Sequence, residues 1–102
     1  MMSVIQITKD NFQNEVLNSE KPVLLDFYAD WCGPCRMVGP IVAEIADERG
    51  DIKVGKINVD EEQELAAMFK VVSIPMLAVV TDGKVINTSV GYMPKEQILA
   101  LL

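Results

Sequence analysis

The run Val23-Leu24-Leu25-Asp26-Phe27-Tyr28 constrains the fold more than any other stretch of this chain. It is almost continuously apolar, so both of its faces must be covered. Such a strand belongs inside a sheet with helices on either side. The rest of the chain supplies those parts. Residues 4–7, 52–59, 76–80 and 84–90 read as further strands. A short helix is expected at 11–17, with Asp10 or Asn11 as its N-cap. A long one is expected at 34–49, where Val38, Ile41, Val42 and Ile45 repeat with the spacing of one buried face, and Gly50 supplies a stop. The acidic residues at 60–64 suit the solvated start of a third helix, with Leu65, Met68 and Phe69 on its inner side. Asp82-Gly83 marks a hairpin, and Pro94 opens a last helix carrying Ile98, Leu99 and Leu102. The order βαβαβαββα predicts an α/β fold: a mixed five-stranded sheet with helices on both faces. At 102 residues, one domain spanning 1–102 is expected.

Composition then narrows the function. The net charge of −6 argues against nucleic-acid binding and against docking on an anionic membrane. No apolar stretch approaches the ~20 residues that cross a bilayer. The start, Met1-Met2-Ser3-Val4-Ile5-Gln6, has no basic region followed by an apolar run, so no signal peptide is expected. These features predict a cytoplasmic protein. Histidine is absent, which excludes histidine general-base chemistry. With only two cysteines, one chain cannot build a four-ligand Cys/His zinc site, so no metal site is expected.

Those two cysteines, Cys32 and Cys35, stand three apart at a predicted strand-to-helix junction. Residues so spaced on a helix have Cβ atoms roughly 5–6 Å apart. A disulfide between them can open and close with little backbone movement. The open N–H groups and dipole of a helix start also favour a thiolate. Cys32, at the cap, is expected to be the exposed attacking sulfur. Cys35, one turn in, is expected to be more buried and to resolve the mixed disulfide. Gly33 offers backbone freedom, and Pro34 is pre-set for an early helical position. The rival readings are a metal site shared between two chains and a pair of inert buried thiols.

Trp31-Cys32-Gly33-Pro34-Cys35 resembles the active-site motif of the thioredoxin family. Asp26-Phe27-Tyr28-Ala29-Asp30 resembles its lead-in strand, and Lys56-Ile57-Asn58-Val59-Asp60 its third strand. Ser73-Ile74-Pro75 is similar to its cis-proline loop, and Asp82-Gly83 with Val90-Gly91 to its closing hairpin. The resemblance spans nearly the whole chain and implies a thioredoxin-like fold. Four positions differ from the common pattern: Tyr28 for a second tryptophan, Met76 for threonine after the proline, Val80 for phenylalanine, and Tyr92 for a small residue. Met76 is expected beside the sulfurs, where it could be oxidised.

The neighbouring residues carry both plain and functional readings. Asp26 shares a strand face with Leu24 and Tyr28. Buried there, its carboxyl would be pushed up in pKa; the alternative is a surface-facing aspartate. The resemblance implies that it takes and returns the proton of the buried cysteine. Lys56 either pairs with Asp26 or is an ordinary exposed lysine. By sequence alone the Ile74-Pro75 bond would be trans, whereas the resemblance implies a cis bond facing the disulfide. The backbone of Ile74 would then be free to pair with an extended substrate segment. Trp31, usually a core type, is expected to border a docking collar with Gly33, Pro34, Ile74, Pro75 and Gly91. Pro40 removes a hydrogen bond from the long helix and should kink it.

The expected function is protein-disulfide reduction through reversible Cys32–Cys35 exchange. The resemblance implies partners of two kinds, disulfide-containing proteins and a thioredoxin reductase. It also implies that no cofactor is bound, electrons coming from NADPH through that reductase. The same chemistry run as an oxidant or isomerase, or a binding subunit without turnover, are the alternatives. Nothing in the sequence demands more than a monomer.

Overall fold

The computed structural model describes residues 3–102. Met1 and Met2, which enter the reading of the chain's start and the expected 1–102 domain, lie outside it. The strands are β1 (Val4–Gln6), β2 (Val23–Tyr28), β3 (Lys53–Asn58), β4 (Met76–Thr81) and β5 (Lys84–Val90). The helices are α1 (Gly33–Glu48), α2 (Gln63–Met68) and α3 (Lys95–Leu99). The expected first helix is a single π-helical turn, Gln13–Leu17, and neither Asp10 nor Asn11 caps it. The Asn11 side chain instead spans the preceding loop, accepting from Thr8 N and donating to Gln6 O.

The five strands form one mixed sheet in the order β1-β3-β2-β4-β5. β1, β3 and β2 run parallel, while β4 is antiparallel to β2 and to β5. β2 therefore lies at the centre, as its apolar run requires. Alternation along it feeds two cores. Val23, Leu25 and Phe27 face the π-turn and α2, joined by Phe12, Val16 and Leu65. Leu24 faces α1 and α3, joined by Val38, Val42, Ile45 and Ile98. Asp26 and Tyr28 share the face of Leu24 by the same alternation. On β3, Gly55 is required by close packing: a Cβ there would sit 2.6 Å from Ile7 Cγ1.

Three packing expectations fail. Met68 is exposed, because α2 ends there and turns only Leu65 fully inward. Met76 is buried in the core that contains Phe27, on the side of β4 away from the cysteine cluster. Ile41 is only partly buried, being at the rim of α1's inner face. The hairpin is as expected: Asp82 and Gly83 both have positive φ, 52° and 75°, as a tight two-residue turn demands.

Candidate active site

The loop after β2 turns into α1 at Cys32, which is the N-cap of that helix. Its φ and ψ, −88° and 114°, are extended, so its side chain folds back over the first turn. Cys32 Sγ accepts a hydrogen bond from Cys35 N at 3.2 Å. Sulfur here does the work that a serine or aspartate oxygen does at most helix starts. Gly33 and Pro34 occupy the first turn, where a missing proline N–H costs nothing. Gly33 has no positive φ, and open space surrounds its Cα, so the turn does not require glycine. What its lack of a side chain leaves is bare backbone beside the sulfur.

Cys32 and Cys35 are joined in a disulfide, with Cα atoms 5.3 Å apart. The expected contrast in exposure is not present: the two residues are 4% and 5% exposed. Both cluster with Ala29, and Tyr28, Val59 and Ile74 pack against that group. The difference between the sulfurs is one of position, at the cap or within the first turn.

Around the pair, Trp31 is 68% exposed, far from the core placement typical of tryptophan. Its indole Nε1 donates to Asp60 Oδ2 at 2.9 Å. The sequence offers no signal for this contact, because the partners are 29 residues apart. Asp60 was legible only as part of an acidic helix start. The Ile74-Pro75 bond is cis. Among the described residues no backbone hydrogen bond engages Ile74, while Pro75 O accepts from Gly91 N at 2.8 Å. That bond ties the start of β4 to Gly91, whose φ of 95° suits glycine. Val72, Val90 and Tyr92 add exposed apolar surface in the flanking segments.

Behind the helix start lies Asp26, buried and with Oδ1 lacking any hydrogen-bond partner. Desolvation by burial pushes its carboxyl up from 3.8 to about 7, outweighing the Lys56 charge, which pulls the other way. Lys56 is the residue beside Asp26 in the parallel pairing of β2 and β3. A pocket of about 240 Å³ reaches Asp26 beneath α1, lined by Val4, Gly39, Pro40, Val42, Ala43 and Lys56. Pro40 thus borders the space over the carboxyl and lies within α1, which runs continuously from Gly33 to Glu48. A larger hollow, of about 430 Å³, lies elsewhere, among Thr8, Lys9, Asp10 and residues 60–64, and its lining holds no sulfur. Exchange with a protein disulfide needs a docking edge beside the sulfurs rather than a cavity, so the chemistry need not follow a large hollow.

Comparison with known proteins agrees with this geometry. The family model described as thioredoxin matches residues 3–102. The chain belongs to the thioredoxin family. It is 47% identical over 102 residues to the thioredoxin of Bacillus subtilis (strain 168), covering 99% of this chain and 96% of that one. It is 46% identical over 99 residues to the thioredoxin of Haemophilus influenzae, covering 96% and 92%. It is 47% identical over 102 residues to that of Pyropia yezoensis, covering 99% and 95%. With the Cys32–Cys35 disulfide at the head of α1, the chain is a protein thiol–disulfide oxidoreductase, an enzyme that reduces protein disulfides. Among the described residues no cluster of three or more potential metal ligands occurs, and no helix is long and apolar enough to cross a membrane.

Proposed function

We propose that residues 1–102 act as a single domain that carries electrons from a thioredoxin reductase, and so from NADPH, to disulfide-bonded proteins in the cytoplasm. The observation that carries this reading is a disulfide at a helix cap whose first sulfur accepts an N–H from the second cysteine. In the reduced protein the same N–H groups favour negative charge on Cys32. The Cys32 thiolate attacks one sulfur of the substrate disulfide. A Cys32–substrate disulfide forms and the other substrate sulfur leaves as a thiolate, which takes up a proton. Cys35 then gives its proton to Asp26 and attacks Cys32 Sγ. The second substrate sulfur leaves and is protonated in turn, and Cys32–Cys35 is restored as a disulfide. The substrate has gained two electrons and two protons.

Asp26 suits the role of proton acceptor because its carboxyl, at about 7, changes state near neutral pH. Lys56 moderates it from the neighbouring strand. Trp31, Gly33, Pro34, Ile74, Pro75 and Gly91 form the docking edge. In support, Trp31 is exposed, the Ile74 backbone is unpaired among the described residues, and Gly33 and Gly91 have open space where a side chain would stand. An extended substrate segment can lie against Ile74 as an added strand would. The protein works as a monomer in this scheme, since every reacting group comes from one chain.

The test is reduction of a disulfide-bonded protein with NADPH and a thioredoxin reductase. Cys32→Ser is expected to abolish turnover, and Cys35→Ser to accumulate covalent adducts with substrate on non-reducing gels. Full turnover in Cys32→Ser overturns the assignment.

A further inference from the structure

Tyr28 stands where many family members carry tryptophan, and the exchange reaction as described leaves it without a task. It ends β2 on the same face as Asp26, two residues on. Its hydroxyl is held by the Gln6 side chain, receiving from Nε2 at 3.2 Å and lying 3.4 Å from Oε1. Gln6 Nε2 also lies 3.4 Å from Lys56 O, so ring and lysine backbone are tied to one side chain. The Lys56 ammonium lies over the Tyr28 ring, 5.7 Å from its centroid, within the range where a ring face attracts a cation.

Lys56 is nonetheless the direct neighbour of Asp26 across the β2–β3 pairing, and its side chain is long enough to choose between them. Asp26 Oδ1 has no partner. The groups facing Asp26 from the surrounding elements are Lys56 on β3, Val4 on β1, Leu77 opposite it on β4, and Gly39, Pro40, Val42 and Ala43 on α1. Lys56 is the charged one among these. Of the nearby titratable groups at the head of α1, Cys35 is in the disulfide and Arg36 Nη2 is bound to Asp30 O. Whether Asp26 is directly paired therefore depends on where one ammonium rests.

We propose that Tyr28 is a positioning residue that holds the Lys56 ammonium on its ring face and so keeps it from pairing directly with the Asp26 carboxyl, on which its charge then acts only from a distance. This rests on the reading of Asp26 as the proton acceptor, which gains from a carboxyl left unpaired. A carboxylate paired with a lysine would titrate in the ordinary acidic range and could no longer accept a proton near pH 7.

The experiment is a carboxyl ¹³C NMR titration of Asp26 in the oxidised protein, with labelled aspartate. Wild type is expected to titrate at about 7. Tyr28→Leu frees the ammonium to pair with Asp26, and the midpoint falls by about 1 unit or more. Tyr28→Phe and Tyr28→Trp keep a ring face and leave the midpoint in place. In a Lys56→Met background, Tyr28→Leu produces no fall. Tyr28→Met serves the same arm if Tyr28→Leu does not fold. An unchanged or raised midpoint in Tyr28→Leu overturns the proposal, as does an equal fall in the Lys56→Met background. The acid–base reading is tested separately by turnover of Asp26→Asn: full turnover there with the stated titrations removes the role of Asp26 in exchange and leaves the parking of Lys56 standing.

Discussion

Asp26 and Asn58 are the two buried polar side chains among the described residues, and they are treated in opposite ways. Asn58 ends β3, and its Oδ1 accepts from Asp60 N at 2.9 Å and Glu61 N at 3.3 Å. Its backbone oxygen accepts from Glu61 N and Glu62 N as well. It is a turn-builder whose buried oxygen is satisfied. Asp26 sits mid-strand on β2 with an oxygen that nothing satisfies, and the cost appears as a carboxyl pushed up to about 7. A satisfied buried group stabilises structure, whereas an unsatisfied one stores reactivity. The two meet at the site from different sides. Asn58 shapes the turn that carries Asp60, and Asp60 holds Trp31 at the docking edge.

The contrast can be broken most forcefully at Asp26. Its folded pKa lies above its unfolded one, so the native state holds a proton that the unfolded chain releases between about pH 4 and 7. Wild-type stability therefore falls as pH rises through that window and stays lower above it. Asp26→Asn lacks this penalty and is expected to be more stable than wild type by up to about 4 kcal/mol at pH 8, with no gain at pH 4. Denaturant melts at the two pH values measure this, and equal gains at both would remove the burial argument. The same substitution is expected to slow release of the mixed disulfide by about a hundredfold at pH 7, read by stopped-flow quenching of Trp31.

Asn58→Ala probes the other half of the comparison. It removes the oxygen that accepts from Asp60 N and Glu61 N and is expected to cost about 1 kcal/mol, independent of pH between 4 and 8. A cost that varied with pH in the manner of Asp26 would show that the two groups are not distinct in kind. The smallest effect is expected for Trp31→Phe, which breaks the indole bond to Asp60 at an exposed position. Stability should change by less than about 0.5 kcal/mol. The KM for protein substrates should rise, because the docking edge loses its fixed aromatic surface.

Most of the architecture was legible from alternation and spacing. The Val23–Tyr28 strand lies at the sheet centre, and α1 buries Val38, Val42 and Ile45 as its period predicts. The misreadings have different causes: Asn11 was expected as a cap but bonds Thr8 and Gln6 in the preceding loop, Met68 was expected to face inward but α2 ends there, and Met76, expected beside the sulfurs by the resemblance, joins the core around Phe27. The exposure of Cys32 was misjudged because it is buried in a cluster with Ala29 and Cys35, against which Val59 and Ile74 from two other loops pack.

By itself the sequence determined the reaction class: two thiols three apart around Gly-Pro at a helix start can trade a disulfide wherever such a helix stands, since spacing and the helix dipole are local properties. Only the tertiary structure decided how that reaction is tuned. Burial of Asp26, the rest position of the Lys56 ammonium, the Asp60 bond to Trp31 and the unpaired Ile74 backbone all arise where separate segments meet. Desolvation and pairing are set by everything within a few ångströms of a group, and chain order does not specify what that is.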